Sequence, residues 1–274
     1  MLPEAKNGDL LYISDFDRVY VYTYPNETLV GTLNDGGGFG ECADSTGNVF
    51  VVNEYQTLEY AHGGTTPIQT LPNPYGNDNP QSCAVAPGSN DLAVTNVGYV
   101  YDGIVLVYPN ESGPPIRYYK FQPVRFNPYY CTYDAAGNLF VLGDTDIYSA
   151  PNAVEELVKG NHRFVRVRMR KAEDVSVGGI LWDGKHFVLG GSSGVYGYEL
   201  RDGVFHQQSA IGLTGAEVEW GFWIQGKHII VPSYNLVLTY PYPAGGDAIK
   251  TLSGFNEPTG AVVSVASSGS HVRK

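Results

Sequence analysis

A short strand closing on tyrosine recurs along almost the whole chain. VYVY ends at Tyr22, TLEY at Tyr60, VLVY at Tyr108, VYGY at Tyr198 and VLTY at Tyr240, and a degenerate DIYS fills the gap at 146–149. The steps run from about 38 to 49 residues, a period that signals one supersecondary unit repeated around a ring or along a solenoid.

Each unit reads as four strands. The second strands, LLYIS (10–14), VFVVN (49–53), LAVTN (92–96), LFVLG (139–143), HFVLG (186–190) and HIIVP (228–232), are nearly unbroken apolar runs. Such runs fit strands covered on both faces by neighbouring units. Two of the turns before them share the frame Asp-x-x-Gly-Asn, at 44–48 and 134–138. WDGKHF (182–187) and IQGKHI (224–229) instead read as two-residue hairpins with Gly at a left-handed position.

The chain ends complete the pattern. FNEPTGAVVSV (255–265) is an inner strand with no outer strands after it, and GDLLYISDFDRVYVY (8–22) has outer strands with no inner strand before it. Pairing the two closes the ring and removes open sheet edges. The expectation is an all-β, six-bladed β-propeller with four-stranded antiparallel blades, formed by residues 8–267 as one domain with tails at 1–7 and 268–274.

The repeat resembles the six-bladed propellers of the NHL type, most closely at residues 37–60, 126–149 and the composite of 255–265 with 8–22. Gluconolactonase-like hydrolases and streptogramin lyase-like enzymes are more distant architectural relatives. The resemblance implies a fold and leaves the activity open.

Composition narrows the classes. Charged residues make up only 16% of the chain, while Gly (34), Pro (17) and Tyr (21) are abundant, which suits short strands joined by tight turns. A net charge of −11 repels a phosphate backbone, so nucleic acid is not an expected partner. No run approaches the eighteen apolar residues of a membrane span. MLPEAKNGDLLY has no charged segment followed by an apolar one, while low Lys and the Tyr, Gly and Asn richness point to an exported, extracellular or periplasmic protein. A monomer is expected.

Loops entering the inner strands and loops leaving the second strands emerge on one face of a propeller, around the channel mouth. There the sequence places Asp15, Glu41, Asn53, Asn96, Tyr129, Tyr130, Asp144 and Trp220 as candidate ligand-binding residues. Glu41, Asn53, Asn96 and Asp144 have the oxygen chemistry of a Ca²⁺ or Mg²⁺ site. The competing expectation is that Asp15, Asn53, Asn96 and Asp144 cap turns. The aromatic residues suit a sugar or an extended peptide, and equally the packing between blades. No Ser-His-Asp order or Gly-x-Ser-x-Gly elbow is present.

Three further features stand apart. In RFVRVRMRK (163–171), Arg166, Arg168 and Arg170 alternate with apolar residues, the pattern of an outermost strand guarded by charge or of a site for an anionic partner. Cys42, Cys83 and Cys131 show no CxxC spacing and read as small buried hydrophobes. His186 and His228 sit at matching Gly-Lys-His positions, and His62 lies in an outer turn. The expected function is a non-catalytic binding or scaffold propeller for a small molecule, glycan or peptide. The alternative is a divalent-metal-dependent hydrolase or lyase.

Overall fold

The computed structural model describes residues 1–6, 8–34, 37–74, 79–98, 102–118, 125–145, 152–170 and 175–266. Strands β1 (Leu10–Ser14), β2 (Val19–Thr23) and β3 (Leu29–Leu33) form one sheet with the C-terminal strand, described last. β4 (Gly40–Ala43), β5 (Val49–Val52), β6 (Gln56–Tyr60) and β7 (Gln69–Pro72) form the second sheet. β8 (Asn79–Val85), β9 (Leu92–Val97), β10 (Ile104–Tyr108) and β11 (Ile116–Tyr118) form the third. β12 (Phe126–Tyr133), β13 (Leu139–Thr145), β14 (Asn152–Leu157) and β15 (Val165–Arg170) run into β19 (Val204–Gly212), β18 (Gly194–Arg201), β17 (Phe187–Gly191) and β16 (Val175–Trp182) as one eight-stranded sheet. β20 (Trp223–Gln225), β21 (His228–Ser233), β22 (Leu236–Pro241) and β23 (Lys250–Ser253) form the last, and β24 (Gly260–Ser264) joins β1. The chain is an all-β propeller, with two short 3₁₀ turns among the described residues. Among the described residues, no helix is long and apolar enough to cross a membrane.

The expectation of six separate four-stranded sheets is corrected here: four sheets are separate and one is continuous. The reason is the basic strand. Val165–Val167 pair antiparallel with β14, and Arg168–Arg170 pair in parallel with Val204–His206 of β19. Charge on β15 does not keep its outer edge free. The nine-residue β19 is long enough to reach it, and the ladder runs through.

The closure read from the chain ends is present. Leu10–Ser14 pair with Ser264–Gly260 in a five-residue antiparallel register. His62 braces the join from the second sheet, its Nδ1 2.6 Å from Ser264 Oγ and its Nε2 3.0 Å from the Gly8 carbonyl. Residues 1–6, read as a tail, pack onto this sheet. The Leu2 N–H donates to the Val30 carbonyl, and Ala5 is fully buried in the first hydrophobic cluster.

Local chemistry explains the repeat. Asp44 Oδ1 accepts the N–H groups of Thr46 and Asn48, and Asp134 Oδ1 those of Ala136 and Asn138. Gly47 and Gly137 then take φ of 92° and 84°, which a side chain would resist. The closing tyrosines are buried. Tyr108 donates to the Pro72 carbonyl and Tyr240 to that of Thr214, so their hydroxyls tie each sheet to the preceding part of the ring. β1, β5, β17 and β24 are buried at every position, as continuous apolar strands between packed sheets should be.

Candidate functional site

The innermost strands β24, β4, β8, β12 and β16, with Gly221–Trp223 at the head of β20, surround a central cavity of about 40 Å³. Each contributes at least two neighbouring positions. One set is Ala261, Glu41, Cys83, Cys131, Ile180 and Phe222. The other is Gly260, Gly40, Ser82, Tyr130, Gly179 and Gly221. Registers with the second strands fix this alignment: Glu41 stands opposite Val51, Cys83 opposite Val94, Cys131 opposite Val141 and Ile180 opposite Leu189. Four glycines in the second set make the room. A methyl on Gly260 would lie 2.2 Å from Glu41 Oε2, and one on Gly221 3.1 Å from the Tyr130 ring.

Glu41 is the single carboxyl in this wall. Its Oε1 accepts the Ser14 N–H at 2.8 Å, while Oε2 and the nearby Ser14 Oγ are buried without a hydrogen-bond partner. Burial pushes the Glu41 carboxyl up to about 7, against the opposing pull of Ser14. Burial also raises the Tyr130 hydroxyl, which faces the Gly221 backbone, and the Cys131 thiol. The interior holds no more than about three water-sized groups, so anything larger must be met at the mouth.

The other predicted residues fall in different settings. Asp15 is 1% exposed and accepts the N–H groups of Phe16, Asn256 and Glu257, fixing the entry to β24. Asn53 Oδ1 accepts those of Tyr55 and Gln56 in an Asx turn. Asn96 is fully buried, with Oδ1 accepting from Asn73 Nδ2 and its own amide donating to Val94. Asp144, next to the last residue of β13, stands opposite Asn127. Its Oδ1 is buried without a partner, and burial pushes the carboxyl up to about 6. Tyr129 occupies a bulge in β12, half-buried, its carbonyl accepting from Thr95 Oγ1. Trp220 is half-buried beside the entry to β20. Asp146 and His271 lie outside the described residues.

The structure brings Glu41 and Tyr130 to one cavity and leaves the remaining candidates on separate turns and strand ends. Among the described residues, the one group of three or more converging metal-ligand side chains is Asp44, Glu59 and Glu111, on the outer side of the second and third sheets. Burial first, then repulsion by Asp44 and Glu59, pushes Glu111 up to about 7. His186 lies beside Asp183, and His228 Nδ1 is 2.8 Å from the Tyr24 hydroxyl.

Sequence reading missed three residues. Phe16, Tyr55 and Tyr234 are 73%, 65% and 62% exposed, on the hairpins that leave β1, β5 and β21. The available signal was an aromatic residue at the tip of a turn in a chain that otherwise builds turns from Gly, Asn and Asp. The cysteine expectation is corrected as well: Cys42 and Cys83 form a disulfide, and only Cys131 is free and buried.

No family model matches the chain, and no curated protein matches it. Solved structures do. A protein of unknown function from Bacteroides caccae is 11% identical with a TM-score of 0.65, the match covering 93% of this chain and 98% of that one. Apo AztD from Citrobacter koseri is 10% identical with a TM-score of 0.54 over 93% and 98%. U3-55K is 11% identical with a TM-score of 0.57 over 82% and 70%. At such identities the likeness speaks to the fold alone: the chain is similar to these proteins as a β-propeller.

Proposed function

We propose that the chain is a six-bladed propeller of the NHL-repeat type that binds a small molecule, glycan or peptide at the channel-mouth face without transforming it. The eight-stranded sheet then counts as two blades joined by their outer strands. The observation that carries the reading is how the polar residues at the mouth are used. Asp15, Asn53 and Asn96 spend their oxygens on turns and strand ends, while aromatic side chains stay exposed around them. A rigid rim with open aromatic surface suits recognition.

A thermal-shift screen of small molecules, oligosaccharides and peptides tests it, with hits repeated on Tyr129→Ala and Trp220→Ala. A ligand at 100 times its dissociation constant adds about 2.7 kcal/mol, which raises the Tm of a domain this size by roughly 5–10 °C. Hits that shift both variants, and also a Phe16→Ser, Tyr55→Ser, Tyr234→Gly variant, as they shift the wild type would remove the mouth from the reading.

A second reading, a divalent-metal-dependent hydrolase or lyase, draws support from Glu41 Oε2 and Asp144 Oδ1, two buried carboxylate oxygens without partners. Melts with EDTA and with millimolar Ca²⁺ or Mg²⁺ decide it. A midpoint unmoved by either ion takes away its support.

A further inference from the structure

The exposed aromatic residues of the mouth are paired with carboxylates. Phe16 is followed by Asp17, Glu54 directly precedes Tyr55, and the Glu217 N–H donates to Oγ of Ser233, the residue before Tyr234; the two glutamates raise the phenols of Tyr55 and Tyr234. The three tips lie on consecutive sheets, the last, the first and the second. They share the face of the inner-strand entries. Asp15 holds the N–H groups of Asn256 and Glu257, and Ser233 Oγ accepts that of Glu217. A methyl on Gly37 would lie 2.2 Å from the Phe16 carbonyl, so the entry to β4 runs along the Phe16 tip.

Two observations point to a ligand for this strip. The first is Tyr234, which holds φ of 54° in the two-residue hairpin between Ser233 and Leu236. Glycine is the residue at ease there, and an aromatic side chain kept in that conformation is strained. The residue is 62% exposed, so packing does not explain it. The second is charge. Asp17, Glu54, Glu217, Glu219 and Glu257 lie on these loops against Arg18 as their one basic residue. Arg18 itself displays the contact the strip can make: its Nη2 is 2.7 Å from Asp17 Oδ2, and its Cζ stands 6.0 Å from the centre of the Tyr20 ring. A guanidinium stacked on a ring and bonded to a carboxylate satisfies both groups at once. At the outer tips, Tyr234 with Glu217 and Tyr55 with Glu54 offer the same pair, and Phe16 between them is apolar.

We propose that this strip docks an extended polypeptide segment carrying arginine or lysine on either side of an apolar residue. The inference rests on the mouth-face binding reading and names its ligand class. The basic residues occupy the Tyr234–Glu217 and Tyr55–Glu54 pairs, and the apolar residue covers Phe16.

The test uses the full chain and fluorescence anisotropy with a labelled dodecapeptide bearing Arg near both ends, Leu in the middle and Gly and Ser between. A counterpart with Glu for Arg, and chitohexaose as a competitor, complete the set. The Arg peptide should saturate, weaken steeply between 50 and 300 mM NaCl and leave the Glu peptide unbound. Tyr234→Gly and Tyr55→Ser should each weaken it at least tenfold. Tyr234→Gly should do so with Tm unchanged or raised, because glycine relieves the turn. Glu54→Gln with Glu217→Gln should flatten the salt dependence. An Arg peptide that fails to saturate, or that binds the Phe16→Ser, Tyr55→Ser, Tyr234→Gly variant like the wild type, overturns the proposal. Chitohexaose binding that is lost in that variant overturns the peptide assignment while leaving mouth-face recognition standing. A screening hit that depends on Trp220 or Tyr129 but not on the three tips does the same.

Discussion

Cys42 and Cys83 meet because they are one position out of step. Cys83 stands opposite Val94, the third residue of its second strand, and Cys42 opposite Phe50, the second residue of its own. Alternation along a strand turns the two side chains to opposite faces. On neighbouring sheets of a ring, opposite faces look at each other. Cys131 stands opposite Val141, in step with Cys83, and packs in a hydrophobic cluster that Ala84 of the third sheet adjoins.

The disulfide closes a loop with a sequence separation of 41 residues between the second and third sheets. Cross-links of this span are worth about 2–4 kcal/mol. Cys42→Ala with Cys83→Ala, or reduction, should lower the Tm by roughly 5–15 °C at that loss. Thiol counting offers an independent check. The native protein should show no reactive thiol, denaturant should expose one, and denaturant with reductant three.

Glu41 should make stability fall as pH rises. Its folded value, up to about 7, lies above the ordinary carboxylate value of about 4.3, so the folded state holds a proton that the unfolded state has released between those limits. Stability contributed by the neutral form is complete below about pH 4 and lost as pH climbs through 7. Glu41→Gln keeps an oxygen for the Ser14 N–H and never charges. In urea melts it should be more stable than wild type by about 3–4 kcal/mol at pH 8 and show no gain at pH 4. Equal stability at both pH values would mean the carboxylate is solvated.

Gly260 and Glu41 should be energetically coupled. A methyl on Gly260 would sit 2.2 Å from Oε2, with Gly40 Cα at 3.2 Å as the next obstacle. Overpacking of this kind costs about 1–3 kcal/mol. Gly260→Ala should therefore destabilise the wild type markedly and the Glu41→Ala background by at least about 1 kcal/mol less, since coupled neighbours depart from additivity by about 0.5–3 kcal/mol. A double-mutant cycle on urea melts measures the difference.

The ring was legible in the sequence because its causes are local. Closing tyrosines, apolar second strands and Asp-x-x-Gly-Asn turns each leave a mark within a few residues, and the chain ends declared the closure by what they lacked. The features that escaped depend on the relation between units. The bond from Cys42 to Cys83 needs the facing of two sheets, and the joining of β15 to β19 needs two outer strands to come within pairing distance. At the mouth, Asp15, Asn53 and Asn96 look alike in sequence as oxygen donors. Only the position of each N–H around them shows where those oxygens are used. Phe16, Tyr55 and Tyr234 went unnoticed because turns are read for glycine and amides, and an aromatic tip carries no period.

Arg166 and Glu155 form a part-buried pair whose loss should depend on pH. Glu155 is fully buried, its Oε1 2.5 Å from Arg166 Nε, and the guanidinium stands 6.0 Å from the centre of the Phe126 ring. Burial raises the Glu155 carboxyl even with Arg166 beside it. Arg166→Met removes the countercharge and leaves a carboxylate in an apolar wall, a change that costs about 3–5 kcal/mol. The variant's Glu155 should then bind a proton more readily than in the wild type. At acid pH it is neutral in the folded variant, and the penalty shrinks; as pH rises past its raised value the full cost appears. Urea melts of Arg166→Met at pH 4.5 and 8 should show the larger deficit at pH 8. Arg166→Met with Glu155→Leu should recover most of it, because no charge is left unpaired. A deficit independent of pH would assign the loss to the packing of the arginine stem and not to its charge.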